Sequence, residues 1–154
     1  KPNKDGLYEV SSNMDIQVKN AKITSLTNDL FIWTSIKGNF FCDYCNELKS
    51  LKGGPQKIGG NFYCSYCKGL KTLEGAPKEV GGNFSCSNCN SLKTLEGAPK
   101  KVGGDFGCSD CKELKTLEGA PKEVGGDFRC YTSGDLFTAD DIKKVSEIKG
   151  KICC

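Results

Sequence analysis

The amino-acid sequence predicts a mainly β solenoid: stacked short coils, a parallel β-sheet, and a short capping helix at the C-terminal end. Three observations lead there. Residues 70–91 read LKTLEGAPKEVGGNFSCSNCNS, nearly the same words return at 92–113, and looser versions fill 48–69 and 114–135. Within each copy, apolar and polar residues alternate as they do in a strand. After the last copy, Thr138 stands just before Asp140 and Asp141, a pattern that opens helices.

The repeat is strict. Cys42, Cys64, Cys86, Cys108 and Cys130 are spaced by 22 residues, and so are Phe40, Phe62, Phe84, Phe106 and Phe128. A fixed period of about 20–50 residues marks units too small to bury a face alone, which stack on their neighbours instead. Phe84 and Cys86 alternate with Asn83, Ser85 and Ser87, so one face of a short strand is apolar. Cys89, Leu92 and Leu95 follow in steps of three. Gly97-Ala98-Pro99 then breaks any helix, because proline lacks a donor and restricts its predecessor. Val102 is one more apolar anchor, and Gly103-Gly104 turns the chain into the next strand. Each coil is expected to run strand, turn, irregular or polyproline-like return, turn.

Phe84, Cys86, Cys89, Leu92 and Leu95 form the pattern F-x-C-x-x-C-x-x-L-x-x-L. It resembles the leucine-rich repeat, L-x-x-L-x-L-x-x-N/C-x-L, in a cysteine variant with one extra residue. On that resemblance Phe84 and Cys86 take the two strand leucine positions and Cys89 the asparagine/cysteine position. Gly81 stands where the first leucine belongs, with Val80 beside it. The return L-E-G-A-P-K-E-V is similar to the slim repeats of bacterial leucine-rich effectors. The short cysteine-type units resemble small repeat proteins of large tailed phages. The resemblance covers residues 10–135 or so, and implies a parallel sheet used as a binding surface. It also implies a phage-encoded protein that acts on a host or virion protein.

The chain has 154 residues, a net charge of +3 and no histidine, which suggests one domain over 1–154. No apolar run approaches the ~18 residues of a membrane span, so no membrane partner is expected. No signal peptide is visible, although Lys1 in place of a methionine leaves room for an upstream segment. Eleven cysteines in a small secreted chain would suggest disulfides. Here they occupy inward repeat positions, where a thiol serves as a small hydrophobe. That favours a reducing cytoplasm, the host's if the protein is phage-encoded.

In chain order, residues 1–6 are polar and expected to fray. Residues 7–25 form a degenerate N-terminal cap repeat, in which Met14 and Ile16 are read in place of Phe and Cys. Five repeats fill 26–135, the first with three extra residues within 27–35, a segment holding Leu30, Phe31, Ile32 and Trp33. That segment reads either as a cluster covering the end of the core or as a partner-binding bulge. Residues 136–154 form the C-terminal cap, with a helix over about 139–147. Phe137 and Ile142 would staple it, Gly150 would stop it, and 151–154 would add a last strand.

C-x-x-C occurs at Cys42/Cys45, Cys64/Cys67, Cys86/Cys89 and Cys108/Cys111, and Cys130 stands with Ser133 in the second place. That spacing fits structural zinc. The same step is shared by Phe, Leu and Gly-Gly, so it is inherited from the coil. These nine cysteines are therefore read as a structural core ladder, with no metal and no cofactor. Zinc, disulfide and redox readings stay open, and Cys153 and Cys154 are the most reactive thiols. Catalysis finds no support: there is no histidine, and no cysteine has an activating partner in the sequence. The recurrent Gly-Gly pairs are turns rather than phosphate loops.

The outward positions beside the Phe and Cys columns are the candidate binding surface. They hold Phe41, Tyr44, Tyr63 and Tyr66 in the first coils. Ser85, Ser87, Asn88, Gly107, Ser109 and Asp110 follow, and Arg129 with Tyr131 closes the row. Aromatic residues are enriched at binding hot spots, yet they also stiffen sheets by cross-strand stacking. Lysine columns are expected at Lys49, Lys71, Lys93 and Lys115 and at Lys57, Lys78, Lys100 and Lys122, beside acidic Glu74, Glu96 and Glu118. Mixed charge reads as a solvated face and does not favour a nucleic-acid partner. The expectation is a non-enzymatic protein–protein interaction module with a protein partner of unknown identity. A structural component of a virion or filament, and a zinc-stabilised binding module, are the alternatives.

Overall fold

The computed structural model describes residues 8–27, 31–132 and 136–154. The expected fraying of 1–6, the placement of Leu30, and the ends of the array at Ser133 and Asp135 lie outside these residues. The chain winds as a β-solenoid whose regular turns are 22 residues long, with two parallel sheets of seven strands each. The first sheet is ordered β1 (Tyr8–Ser12), β3 (Phe31–Ile36), β5 (Lys57–Ile58), β7 (Glu79–Val80), β9 (Lys101–Val102), β11 (Glu123–Val124), β13 (Glu147–Ile148). The second is ordered β2 (Ile16–Gln17), β4 (Phe40–Phe41), β6 (Phe62–Tyr63), β8 (Phe84–Ser85), β10 (Phe106–Gly107), β12 (Phe128–Arg129), β14 (Ile152–Cys153).

Sequence pattern anticipates the second sheet and misses the first. The segment read as an irregular return carries a two-residue strand in each regular coil, and the longer β1 and β3 in the first two. Its backbone is extended because the neighbouring coil supplies hydrogen bonds: Gly81 N–H donates to the Ile58 carbonyl at 2.9 Å and Gly103 N–H to the Val80 carbonyl at 2.8 Å. Val80 and Val102 point inward from these strands and are buried.

The core is a set of columns. Phe40, Phe62, Phe84, Phe106 and Phe128 are fully buried and follow one another in register. Phe62 and Phe84 stack at 5.5 Å between ring centroids, and Phe84 and Phe106 at 5.7 Å. Each such side chain contributes about 1.5–3 kcal/mol by leaving water. Leucine columns such as Leu48, Leu70 and Leu92 are buried in the same core. Trp33 meets Phe40 edge-on at 6.3 Å between ring centroids. The segment around it is strand β3, paired with β1, and the register shifts between Val10 and Ser11: Val10 faces Trp33 and Ser11 faces Ser35, so one residue, Thr34, is extra.

Turns between columns leave little room. Gly97 has a φ of +88°, and an added Cβ there would lie 2.5 Å from the Glu74 nitrogen. A Cβ on Gly81 would collide with the Gly59 carbonyl oxygen of the preceding coil. Beside this turn runs a polar ladder. Asn61 Oδ1 accepts from Asn83 N at 2.7 Å, Asn83 Oδ1 from Asp105 N at 2.8 Å, and Asp105 Oδ1 from Asp127 N at 2.8 Å. Asp15 and Asn39 begin it, and Lys151 N ends it on Asp127. Each link satisfies a backbone donor that the two-residue strands leave over.

Three placements differ from the sequence reading. Ile16, not Met14, stands in the phenylalanine column, because β2 pairs Ile16 with Phe40; Met14 is 76% exposed. Lys57 pairs with Glu79, which pairs with Lys101, so Lys57 leaves the lysine column of Lys78, Lys100 and Lys122. That row alternates charge across strands, with Lys101 to Glu123 at 3.3 Å. At the C-terminal end, α1 spans Ala139–Val145, capped by Thr138: Asp141 N donates to Thr138 Oγ1, and Thr138 N to Asp141 Oδ2. Phe137 and Ile142 are both buried. The helix stops at Ser146, not Gly150, and Gly150 instead sits in the turn joining β13 to β14.

Candidate functional site

The outer face of the second sheet gathers the aromatic residues into two short stacks. Phe41 and Tyr63, paired across β4 and β6, lie 5.6 Å apart. Tyr44 and Tyr66 are stacked at 4.8 Å with planes only 8° apart, and are 48% and 42% exposed. Lys19 Nζ lies 4.5 Å from the Phe41 ring centre, a cation–π contact that ends the first stack. Asp43 Oδ1 accepts from Ser65 N at 2.9 Å, while burial pushes its carboxyl above the ordinary value.

Tyr44 and Tyr66 are not strand residues. They sit in the turn that follows β4 and β6, at φ of +62° and +60°. The same turn position holds Asn20, Asn88 and Asp110, at +58°, +60° and +55°. Asn and Asp visit this left-handed region routinely, whereas a large side chain meets a steric cost of about 1–2 kcal/mol there. Two adjacent coils therefore carry tyrosine where backbone preference asks for asparagine. Stacking of the two rings returns about 0.5–1.5 kcal/mol, which offsets part of that cost.

Beyond these stacks the rings stop and a trough begins. Tyr63 forms one wall, Ser85, Ser87, Gly107 and Ser109 the floor, and Arg129 with Tyr131 the far wall. Three coil steps of ~4.8 Å separate the strands of the two walls, roughly 14 Å. Ser85 Oγ hydrogen-bonds Ser65 Oγ at 2.8 Å, and Asn83 Nδ2 reaches the Tyr63 hydroxyl at 3.4 Å. Arg129 is held in place by Asp105 at 2.8 Å and Asp127 at 2.9 Å. The Asp127 carboxyl lies below its ordinary value, chiefly because Lys151 N–H donates to it, with Arg129 adding to the effect. Tyr131 is half exposed, and its hydroxyl is pushed up first by hydrogen bonding to Cys153.

The six residues singled out by sequence thus fall into two groups. Phe41 pairs with Tyr63 and Tyr44 with Tyr66; Arg129 and Tyr131 stand across the trough, and Tyr63 belongs to both settings. Asn83 and Asp105 also line it and were not anticipated. Their signal was present as the Asn or Asp that precedes every ladder phenylalanine from Asn39 to Asp127.

Below the sheet the cysteines form two columns. Cys42, Cys64, Cys86, Cys108 and Cys130 face the core and are buried. The second cysteine of each pair donates to a carbonyl one coil back: Cys67 Sγ to Cys42 O at 3.1 Å, Cys89 Sγ to Cys64 O at 3.2 Å, Cys111 Sγ to Cys86 O at 3.2 Å. Cys45 does the same to Val18 O at 3.1 Å. Burial pushes the Cys67 thiol up to about 12. Such thiols are poor nucleophiles at neutral pH. Among the described residues, no group of three or more His, Cys, Asp or Glu is arranged to hold a metal ion. No described helix is long and apolar enough to cross a membrane.

No family model, curated protein or solved structure matches this chain.

Proposed function

We infer that this solenoid is a non-enzymatic protein-interaction module that docks a protein partner on the outer face of its second sheet. The carrying observation is the Tyr44–Tyr66 stack, held at left-handed turn positions where asparagine would serve the fold better. Strain and exposure at one spot favour a role outside the fold, and exposed aromatic residues suit hot spots. The neighbouring trough gives such a partner a concave complement, with Tyr63 on one side and Arg129 with Tyr131 on the other. Reduced, buried thiols suit a reducing compartment such as a cytoplasm. The repeat's resemblance to the leucine-rich type, and to tailed-phage proteins, supports a phage-encoded protein acting on a host or virion protein.

The test is co-purification of a partner at fixed stoichiometry by the wild type and by a Tyr63→Ala/Tyr66→Ala variant. The variant should stay folded, weakened by no more than the lost stacking of about 1–3 kcal/mol, and lose at least tenfold in affinity. Undiminished capture by a folded variant would remove this face as the docking site. A second reading, a structural component of an assembly, draws on the outermost strands of the two sheets, whose edges can template pairing with another chain. Fixed copy number in particles or filaments would favour it. The zinc-stabilised alternative gains no support from thiols turned onto carbonyls.

A further inference from the structure

The inward cysteine column does not end inside the core. β12 and β14 pair Arg129 with Cys153, and Cys130 N–H donates to the Cys153 carbonyl at 2.8 Å, so Cys154 is the strand neighbour of Cys130. Side chains alternate along an extended strand. Cys154 therefore turns to the side of Cys130, while Cys153 faces outward toward Tyr131. Parallel neighbours stand ~4.8 Å apart, inside the Cα separation of about 4.4–6.8 Å that disulfides span. The steps from Cys42 through Cys64, Cys86 and Cys108 to Cys130 share this geometry, but both members of each are buried. Only the last step has an exposed member, Cys154.

We propose that Cys130 and Cys154 are a dithiol site for a small disulfide oxidant such as glutathione disulfide, closing a covalent seam between β12 and β14. Cys154, as thiolate, attacks one sulfur of the oxidant and releases one glutathione thiolate. Cys130 then loses its proton, attacks the Cys154 sulfur and releases the second glutathione. The two cysteines give up two protons and two electrons, and one glutathione disulfide becomes two glutathiones. The second step is the slow one, because burial, helped by Cys154 and Cys153, pushes the Cys130 thiol up to about 12. Closure ties the final strand, against which α1 packs, to the last full coil. It acts beside Arg129 and Tyr131 but does not depend on what the sheet face binds.

The test treats the native chain with glutathione disulfide, blocks remaining thiols and maps tryptic peptides by mass. The expected product joins the peptide beginning at Cys130 to the one beginning at Ile152, lighter by about 2 Da than the sum of its reduced halves. The eight cysteines from Cys42 to Cys111 should stay unmodified while the chain is folded. Cys153→Ser should keep the link and Cys154→Ser should abolish it; residue 154 is exposed, so the latter variant should fold. A mixed disulfide that persists on Cys154, a Cys153–Cys154 ring, or a dimer in place of the Cys130–Cys154 link would overturn the proposal.

Discussion

Asn83→Ala should destabilise the solenoid by about 2 kcal/mol, and Asn83→Asp by well under half of that. In the wild type, Asn83 Oδ1 accepts from Asp105 N at 2.8 Å, and Asn83 N is itself bound by Asn61 Oδ1 at 2.7 Å. Alanine keeps the second bond, lost only with Asn61, and breaks the first. It leaves a half-buried backbone donor without its partner, at a cost of about 1–3 kcal/mol. Aspartate keeps the acceptor, as Asp105 and Asp127 do in later coils. Its charge then lies one coil from Asp105. At roughly 5 Å in solvent that repulsion is about 0.8 kcal/mol, and Arg129, 2.8 Å from Asp105, reduces it. Urea unfolding at low and high salt separates the two effects. The aspartate variant should recover toward wild type in salt, since screening shortens the reach of exposed charges. The alanine variant should not. An alanine variant within 0.5 kcal/mol of wild type, or an aspartate variant that is equally weakened, would refute the ladder's role.

Other outcomes follow from the same geometry. Gly97→Ala should cost about 2 kcal/mol or more, given its φ of +88° and the Glu74 backbone beside it. Gly107→Ala should be near neutral in denaturant melts, because its Cβ would meet the rotatable hydroxyls of Ser85 and Ser87 at 3.3 Å and Ser85 Cβ at an ordinary 3.8 Å, with no backbone among these nearest atoms. Phe84→Ala should cost about 3–5 kcal/mol in the same assay and split the array at its centre. Acid should weaken the fold through Asp127. Its native carboxyl lies below the usual value, so its contribution is present above about pH 4 and is lost as pH falls through the lowered value. Asp127→Asn keeps the acceptor for Lys151 N, and melts between pH 5 and pH 2 should show a flatter acid limb.

The inward columns were legible because a buried position one coil thick accepts few residues. In three kinds of column Phe, Cys and Leu recur unchanged from Phe40 to Cys111, while the first sheet's column varies between Ile58, Val80 and Val102. The first sheet was not legible. Its regular strands are two residues long, as in Lys57–Ile58, and alternation needs about four residues to register. Bonds from the next coil, rather than local preference, make them extended. The degenerate first coil slipped by two because it lacks both Phe and Gly-Gly, so nothing in it told exposed Met14 from Ile16 as the column residue. At the candidate site, residue identity was readable but the turn was not. Asn88 and Asp110 signal a left-handed residue, whereas Tyr44 and Tyr66 carry no such signal. The trough was half visible, since Ser85 and Gly107 mark a loss of volume without showing what walls it.

Coils laid side by side in both sheets can be tested by through-hydrogen-bond NMR couplings on isotope-labelled protein. The Phe84 amide nitrogen should couple to the Asp105 carbonyl carbon, across a 2.9 Å contact between residues 21 apart, and Gly81 nitrogen to the Ile58 carbonyl carbon. Couplings running instead to partners in an antiparallel hairpin, or present for Phe84 and missing for Gly81, would contradict the two-sheet solenoid.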